Sequence, residues 1–385
     1  MSIGTASTKG LVAYDPWKVY QGVNLLTPAE GTGVWLVDMQ GRYVHYWEAG
    51  CVPSCGAELL LDGNLLYAGK QVDGPLADLE GAAGVLLELD WFGKCLWRHE
   101  DPYLHHGFAR SANGNTYVTK WTEIPARVTS KVEGGIEGSE RSGKMWGDVI
   151  QEVDQAGRVV WEWLAHEHLD PTIDVICPIC RRSTWPHTNS IHEMADGNLL
   201  VSFMRTSTVA KIDRASGDVL WRWGKGQLAH QHFVTEMDNG NVLVFDRGLH
   251  TPGMDCGYSQ VIELSPQTGE KIWVYMDGHF FFSSILSSCQ RLPNGNTLIC
   301  EGAMGRLFEV DAKGTIVWEY LNNLPSEATS PVAARHCMVH AAFRYGVDFA
   351  GLRRPVLVPR QRQATPGTAT GVATRLHSRL EALGY

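Results

Sequence analysis

The sequence predicts an all-β protein, because two short patterns alternate along most of its length. In the first pattern, a turn with Asp or Ser and then Gly leads into an apolar strand with a tryptophan. Six copies occur, at Trp47, Trp97, Trp161, Trp221, Trp273 and Trp318. The second pattern is an (Asp/Asn)-Gly-Asn hairpin, whose glycine supplies the positive φ of a tight turn. It lies between successive tryptophans, at Gly63, Gly114, Gly197, Gly240 and Gly295. Each unit then holds about four short strands, the content of one propeller blade. The predicted fold is a six-bladed β-propeller with a central channel.

The ring of blades has to close, and the sequence indicates how. Six tryptophan repeats come with five hairpins, so Met338–Tyr345 is expected to form the sixth inner strand beside the N-terminal strands. We predict a propeller over residues 1–357, with an insertion at 164–182. Residues 358–385 are expected to form a tail that is flexible where it is rich in Pro, Thr and Gly. Its end has the leucine spacing of a short amphipathic helix, which would dock on the propeller or on another subunit of a homo-oligomer.

Composition argues against several classes of function. The 385 residues carry a net charge of −9 at pH 7, which disfavours a nucleic-acid or anionic-membrane partner. No apolar run could span a bilayer, and residues 1–10 lack the apolar core of a signal peptide, so a cytoplasmic location is expected. The nine cysteines are an odd number, and most are expected to be thiols in a reducing compartment.

Polar side chains recur at one register of the predicted inner strands. Eight residues before each hairpin glycine lies a polar or nucleophilic side chain: Cys55, His106, Asn189, His232 and Ser287. Two residues earlier, on the same face by strand parity, lie His187 and His230. Inner strands line the channel of a propeller, where ligands usually bind. The register therefore predicts a histidine-rich ligand site, although any single histidine could merely bond backbone carbonyls in a wet channel.

Several segments resemble one family of propeller enzymes. They are spread over the predicted propeller: Tyr20–Pro28, Leu36–Trp47, His187–Asn189, Arg205, Gln231–His232, Gln290–Leu298, Phe308–Trp318 and Asp348–Leu352. The most specific feature is His-x-Asn with an arginine sixteen residues after the asparagine. The chain is similar to the bacterial arylsulfate sulfotransferase (arylsulfotransferase) family. It looks like a short form that lacks the signal peptide and the N-terminal β domain of that family.

The resemblance implies a reaction and roles for single residues. The family moves sulfuryl groups between phenols without a nucleotide donor, which implies a small aromatic substrate and no required cofactor. His232 matches the histidine nucleophile, which becomes sulfated in a ping-pong cycle. His106, His187, Asn189 and Arg205 match the groups that bind the sulfuryl oxygens. The residue types suit this chemistry, because a neutral imidazole is a good nucleophile and fixed donors stabilise charged oxygens. Another histidine can shuttle the phenolic proton.

Further residues are candidates for contacts with the substrate. Cys55, Ser287 and His192 lie on predicted inner strands and are expected to line the channel. Trp185 could stack on an aromatic substrate, but core packing explains it equally well.

Four residues that follow two of the hairpins form another group: Asp246, Arg247, His250 and Glu301. They could line one mouth of the channel and select the acceptor. Solvated rim residues are the expectation for this group.

A Cys-x-x-Cys motif lies in the predicted insertion. Cys177 and Cys180 follow His166 and His168, and two cysteines near two histidines are typical of a tetrahedral zinc site. Such a site could hold an otherwise loose loop over the channel. Structural zinc on these four residues, free thiols and a redox pair all stay open.

Two other functions compete with sulfuryl transfer. In a metal-dependent lyase or hydrolase, His106, His187 and His232, together with His192, would hold a divalent metal. Arg205 would then bind a substrate anion. A non-catalytic propeller that binds partners is disfavoured, because a scaffold does not need histidines in its channel. A metal cage favours few nearby cations, whereas an oxyanion pocket needs them, so Arg205 favours sulfuryl transfer.

Overall fold

The computed structural model of the chain describes residues 10–324 and 337–353, apart from 252 and 254–256. Its sheets surround a central channel as six blades, which confirms the predicted all-β six-bladed propeller. The predicted tail at 358–385 lies outside the described residues. In the described part of the chain, no helix is long and apolar enough to cross a membrane.

Each of the first three blades is an antiparallel sheet whose strands follow one another from the channel outward. Blade 1 consists of β28 (Val339–Gly346), β2 (Gly22–Pro28), β3 (Gly33–Asp38) and β4 (Tyr43–Glu48). Blade 2 consists of β5 (Pro53–Leu59), β6 (Leu65–Lys70), β7 (Gly84–Leu89) and β8 (Cys95–Glu100). Blade 3 consists of β9 (Leu104–Arg110), β10 (Thr116–Glu123), β12 (Trp146–Val153) and β13 (Val159–Leu164).

The other three blades repeat this plan. Blade 4 consists of β16 (Thr188–Glu193), β17 (Leu199–Phe203), β18 (Thr208–Ile212) and β19 (Val219–Trp223). Blade 5 consists of β20 (Phe233–Glu236), β21 (Val242–Asp246), β22 (Gln260–Leu264) and β23 (Lys271–Tyr275). Blade 6 consists of β24 (Ser288–Arg291), β25 (Thr297–Glu301), β26 (Arg306–Val310) and β27 (Ile316–Leu321), with β1 (Gly10–Tyr14) on its outer edge. Single 3-10 turns occupy Met204–Thr206, Gly278–Phe280 and Ala350–Leu352.

The two ends of the described chain close the ring. Strand β28 pairs with β2 along its whole length, from Gly22 opposite Gly346 to Pro28 opposite Val339. This confirms that the stretch from 338 to 345 supplies the sixth inner strand. Each inner strand also contacts the inner strand of the next blade, so six strands surround the channel without a gap.

Tryptophans join neighbouring blades at their outer part. The indole N–H of a tryptophan on a fourth strand donates to a backbone carbonyl in the last turn of the next blade, at 2.9–3.1 Å. In the described part of the chain, five blade-to-blade junctions have this bond: Trp47 to Asp90, Trp163 to Gly217, Trp223 to Gly269, Trp273 to Ala312 and Trp318 to Met39. In blades 3 and 4 the donor lies two residues after the tryptophan of the sequence repeat. Trp163 donates instead of Trp161, and Trp223 instead of Trp221.

Two excursions from blade 3 meet above the propeller. The first contains α1 (Ala126–Thr129) and β11 (Gly134–Ile136); the second contains α2 (Ala165–His168), β14 (Ile176–Arg181) and β15 (Thr184–Trp185). Strands β11 and β14 pair in parallel, and β15 pairs with β12. Ile176 and Trp185 are fully buried in the adjoining core. Burying side chains of this size stabilises the fold by roughly 1.5–3 kcal/mol each, so the segment at 164–182 is anchored.

Candidate functional site

The candidate active site lies where four inner strands begin. His106 is on β9, whereas His187 and Ser287 directly precede β16 and β24, and His230 lies just before β20. These four residues have positive φ angles of 34°, 71°, 90° and 60° respectively. Residues other than glycine rarely adopt this conformation, which costs about 1–3 kcal/mol and is concentrated at functional sites. Strain near the start of the inner strand in each of blades 3 to 6 therefore makes this end of the channel the candidate site.

His232 has a fixed tautomer that leaves one nitrogen free. Its Nδ1 lies 2.7 Å from the carbonyl oxygen of Ser287. Because a carbonyl only accepts, Nδ1 carries the proton and Nε2 keeps a lone pair. Burial, and next the positive charge of Arg247, lower the pKa of His232 to about 3, although the bond to Ser287 opposes the shift. The imidazole is therefore neutral at physiological pH, with Nε2 available as a nucleophile.

His187 is held in the opposite tautomer. Arg205 donates from Nε to the Thr184 hydroxyl at 2.7 Å, and that hydroxyl lies 2.8 Å from His187 Nδ1. Among the described residues, His187 Nδ1 is the one acceptor within reach of the Thr184 hydroxyl proton, so we place the proton of His187 on Nε2. This Nε2 is buried and has no partner among the described residues. Burial, reinforced by positive charge on His106 and Arg205, lowers the pKa of His187 well below its ordinary value. His187 is thus a neutral donor without an acceptor.

His106 is the end of a chain of three buried groups. Asp148 Oδ1 lies 3.3 Å from His105 Nε2, and His105 Nδ1 lies 3.3 Å from His106 Nδ1. The contact with Asp148 lacks hydrogen-bond geometry, but the nearby carboxylate favours the tautomer of His105 with its proton on Nε2. In that tautomer His105 Nδ1 accepts a hydrogen bond from His106 Nδ1. His106 Nε2 then has a lone pair. Burial, and next the positive charge of His105, lower the pKa of His106 well below its usual range. His106 is therefore a neutral imidazole that can accept a proton.

A loop of blade 2 closes over His106. A Cβ on Gly81 would lie 1.7 Å from His106 Cε1, and the φ of Gly81 is +78°, so only glycine fits. The neighbouring Glu80 places Oε1 3.6 Å from Arg247 Nη1, and Arg247 Nε donates to the His230 carbonyl at 2.8 Å. Arg247 is only 2% exposed. The loop thus covers an imidazole and a buried guanidinium at the same mouth.

The expectation of solvated rim residues is wrong for three of the four side chains. Asp246 and Glu301 are buried as well as Arg247. Asp246 accepts the backbone N–H of Ala229, and Glu301 accepts that of Phe282. Backbone donors close to these strands hold both carboxylates inside the protein.

Several buried polar atoms of the channel have no partner among the described residues: His187 Nε2, Asn189 Oδ1, Gln231 Oε1 and His340 Nδ1. The Asn189 amide donates to the Gln231 carbonyl at 3.0 Å. Native proteins pair nearly all buried polar groups, so such a group of atoms calls for ordered water or a polar ligand. Burial lowers the pKa of His340 to about 4, and a proton on His340 would lower the pKa values of His106 and His232 further.

Sequence reasoning missed four residues of this site: His105, Asp148, Thr184 and His340. His340 could have been found, because it lies on the strand predicted to complete the ring. His105 adjoins a predicted residue. No sequence motif identifies Asp148 and Thr184. They reach the channel because β12, which contains Asp148, pairs with β15, which contains Thr184.

Two predicted substrate contacts are wrong. Trp185 is fully buried in the core and donates from Nε1 to the Asp174 carbonyl at 2.6 Å, so it cannot stack on a ligand. The hydroxyl of Ser287 is fully buried; it donates to Ser283 and accepts from the backbone N–H of Gly302. Ser287 serves the site through its carbonyl, which orients His232.

His192 lies apart from the four strained residues, and Cys55 has an unreactive thiol. His192 is five residues beyond His187 on an extended strand, which is about 16 Å. It lies near the carboxylates of Glu236 and Glu193. Burial raises the pKa of Cys55 to about 12, so its thiol is not a nucleophile at neutral pH.

Two phenylalanines form an apolar part of the channel. Phe233 directly follows His232, and Phe343 lies on β28. Their ring centroids are 5.5 Å apart. The inner strands of blades 5 and 1 are not neighbours, so the rings meet inside the channel. The site therefore combines polar imidazoles with an aromatic surface.

The cysteine motif meets histidines other than those predicted. Cys177 and Cys180 cluster with His230 and His250, and the four ligand atoms lie within 4.8 Å of one another. The predicted ligands His166 and His168 are not in this cluster. The ring of His168 stacks on Trp163, because α2 turns it toward the blade instead.

The channel histidines do not form a second metal cluster. Among the described residues, the group of Cys177, Cys180, His230 and His250 is the one set of three or more His, Cys, Asp or Glu ligands that could hold an ion. His106, His187 and His232 are instead interspersed with the cations of Arg205 and Arg247. This arrangement favours an anion over a metal ion.

Comparisons with known proteins agree with the fold and add a family. The sequence model of the family described as Arylsulfotransferase (ASST) matches residues 81–323. No curated protein matches the sequence. The crystal structure of a protein of unknown function from Bacteroides caccae aligns with 83% of this chain and 98% of its own, with a TM-score of 0.53 and 15% identity. A streptogramin B lyase aligns with 82% of this chain and 88% of its own, with a TM-score of 0.44 and 12% identity. These structural likenesses concern the fold alone.

Proposed function

The chain belongs to the arylsulfotransferase family, and from this premise we propose that it transfers a sulfuryl group from an aryl sulfate to a phenolic acceptor through a sulfated His232. The observation that carries the proposal is the 2.7 Å contact between His232 Nδ1 and the Ser287 carbonyl. It leaves Nε2 as an unprotonated nucleophile in a buried pocket. The family supplies the reaction class, and the tautomer supplies the atom.

In the first half-reaction, His232 Nε2 attacks sulfur and the bond from sulfur to the aryl oxygen breaks. The electron pair of that bond leaves with the aryloxide. The product is an N-sulfated imidazolium that still carries the Nδ1 proton. The Ser287 carbonyl accepts this proton's hydrogen bond and so stabilises the positive ring. The ring does not have to lose a second proton.

The sulfuryl oxygens need donors fixed before reaction. His187 Nε2 is a buried donor without an acceptor, and the nearby Arg205 holds it through Thr184. Arg247 adds a buried guanidinium whose charge acts on His232. Donors arranged in advance stabilise the developing charge without reorganisation. We assign His187, Arg205 and Arg247 to the sulfuryl group.

Proton transfer falls to His106. In the second half-reaction a phenol must lose its proton before its oxygen attacks the sulfated His232. His106 Nε2 has the lone pair for this, and the Asp148–His105 pair behind Nδ1 stabilises the imidazolium that forms. The proton that His106 then carries can pass to the aryloxide that leaves in the next turnover. Phe233 and Phe343 offer an apolar surface for the aryl ring.

The test is intact-protein mass spectrometry before and after incubation with an activated aryl sulfate, with the released phenol measured in parallel. We expect one sulfuryl group per chain in the absence of acceptor and its loss when a phenol is added. His232→Ala should gain no sulfuryl group and lose at least about 10³-fold in turnover. The exposed His279→Ala is the matched control and should behave like wild type. Phenol release by His232→Ala at the wild-type rate would overturn the proposal.

A further inference from the structure

Four side chains from three separate segments meet beside the channel. Cys177 and Cys180 belong to β14, His230 precedes β20, and His250 follows β21. Cys180 Sγ lies 3.4 Å from His230 Nε2 and 3.6 Å from His250 Nδ1. Cys177 Sγ lies 3.6 Å from His250 Nδ1 as well. The contacting cysteines and histidines are 50 to 73 residues apart in the sequence, so the tertiary fold, and not one local loop, brings them together.

We propose that Cys177, Cys180, His230 and His250 bind one Zn²⁺ as a closed structural site. Zinc prefers thiolate and imidazole ligands in a tetrahedron, with bonds of about 2.3 Å to sulfur and 2.0–2.1 Å to nitrogen. In such a tetrahedron, the edge between a sulfur and a nitrogen is about 3.6 Å. The three sulfur–nitrogen distances of 3.4, 3.6 and 3.6 Å match that edge.

The surrounding backbone is arranged for these ligands. The backbone N–H of Ile179 donates to Cys177 Sγ inside the Cys-x-x-Cys turn, which stabilises a thiolate. His230 and His250 have positive φ angles of 60° and 65°, and their ring centroids are 4.5 Å apart. Both residues have a strained backbone, and both direct their imidazoles toward the same cysteine pair. Backbone strain of this kind is concentrated at functional sites such as ligand sites.

The charge balance also fits zinc. Two thiolates and two neutral imidazoles around Zn²⁺ give a site with no net charge. A neutral site is compatible with Arg205 and Arg247, whose charges act on Cys180. Four protein ligands leave no open position, so the ion would be structural and would take no part in sulfuryl transfer.

The site would couple the insertion to the channel. It joins β14 to the segment from His230 to His232, whose carbonyl at His230 also binds Arg247. Loss of the ion should therefore loosen β14 and the start of β20 together. This consequence does not depend on the reaction that His232 performs.

The experiment is metal analysis of the full chain produced in zinc-supplemented medium, with cobalt substitution of the same protein. We expect one zinc per chain in wild type and less than a tenth of that in Cys177→Ser and in His250→Ala. The Co²⁺ protein should show thiolate-to-metal charge-transfer absorption. X-ray absorption of the zinc protein should give two sulfur and two nitrogen neighbours, a result that needs no variant to fold.

Two controls separate this set of ligands from others. His166→Ala and His168→Ala remove the nearby histidines that lie outside the cluster, and both should keep one zinc per chain. Cys95→Ser removes an exposed thiol and should also have no effect. Zinc that persists in the Cys177→Ser/His250→Ala double variant would overturn the proposal. So would zinc-free protein with a Cys177–Cys180 disulfide, because that result identifies a redox pair.

Discussion

The outer part of the propeller repeats one contact from blade to blade, whereas the residues at the channel vary between blades. Between the outer strands, the same indole-to-carbonyl bond recurs at five junctions with almost the same length, 2.9–3.1 Å. At the channel, one register carries cysteine, histidine, asparagine, histidine and serine in blades 2 to 6, and four residues at or near it are in a strained conformation. Repetition therefore marks what holds the blades together, whereas departure from it marks what the protein does.

Alanine substitutions at two glycines, Gly81 beside the channel and Gly93 away from it, test this comparison most strongly. In Gly81→Ala the new methyl group would lie 1.7 Å from His106 Cε1 and displace the proposed base. In Gly93→Ala the φ of +80° is equally unfavourable, but nothing lies within 4 Å. We expect kcat/KM for aryl sulfate to fall at least about 100-fold in the first variant only, since small displacements of catalytic groups have effects of that size.

Stability provides the control for this pair. Both alanines meet the same backbone strain, about 1–2 kcal/mol, and Gly81→Ala adds the cost of displacing His106, so its urea midpoint should shift further. Activities are therefore compared at a urea-free condition in which both variants are folded. Equal activities in the two variants would mean that the Gly81 loop has no effect on His106.

The second prediction concerns the Thr184 hydroxyl. Thr184→Val keeps the shape but removes the acceptor of Arg205 and the group that sets the His187 tautomer. We expect kcat to fall by roughly 10- to 100-fold, because one fixed donor to the sulfuryl group is lost. Thr184→Ser should restore most of the rate. If serine fails to restore it, the threonine matters through packing and the tautomer argument is wrong.

The fold could be predicted from the sequence because its signals are local and repeated. A hairpin needs a glycine at one place, and a blade needs a tryptophan about once per repeat, so five hairpins and six tryptophans define the ring. Even so, Trp163 and Trp223 make the junction bonds that the repeat assigns to Trp161 and Trp221. The third and fourth strands pair through a bulge in all six blades, so the bulge does not explain the difference, and the sequence does not reveal which tryptophan reaches the next blade.

The site could be predicted only where it follows the same register. His106, His187 and His232 were found in this way, and the resemblance to a family gave them roles. The partners that set their tautomers come from other segments: Asp148 reaches His105 from a different strand, and Ser287 reaches His232 from the next blade. The prediction of which histidines accompany Cys177 and Cys180 was wrong for the same reason. Nearness in sequence pointed to His166 and His168, whereas the fold brings His230 and His250.

The third prediction tests the outer part of the propeller. Trp318 is fully buried and donates to the Met39 carbonyl at 2.9 Å, across the junction where the ring closes. Trp318→Phe should lower the free energy of unfolding by about 2 kcal/mol, from the lost bond and the small cavity. The folded variant should keep its activity within about twofold. Trp17→Phe is the control, because Trp17 is 93% exposed and should not affect the urea midpoint.

The smallest effect should have the opposite sign. Glu58 lies on inner strand β5, and burial raises its pKa to about 7, although the charge of Arg110 opposes the shift. Glu58 is thus an inner-strand residue whose negative charge is disfavoured by burial. If channel groups are not chosen for stability, then removing this charge should stabilise the protein, whereas removing the indole of Trp318 destabilises it.

The pH dependence follows from the direction of the shift. The folded state holds the Glu58 proton more tightly than the unfolded state, whose carboxyl titrates near 4.5. Stability therefore falls as the pH rises from about 4.5 through about 7, and the whole penalty remains above that. Glu58→Gln should match wild type near pH 4.5 and exceed its free energy of unfolding by about 1–2 kcal/mol at pH 8, a value reduced for partial exposure to the channel. Urea unfolding of both proteins at the two pH values measures this difference. A variant no more stable than wild type at pH 8 would mean that the channel tolerates the charge, and the contrast with the outer junctions would then hold for the histidines alone.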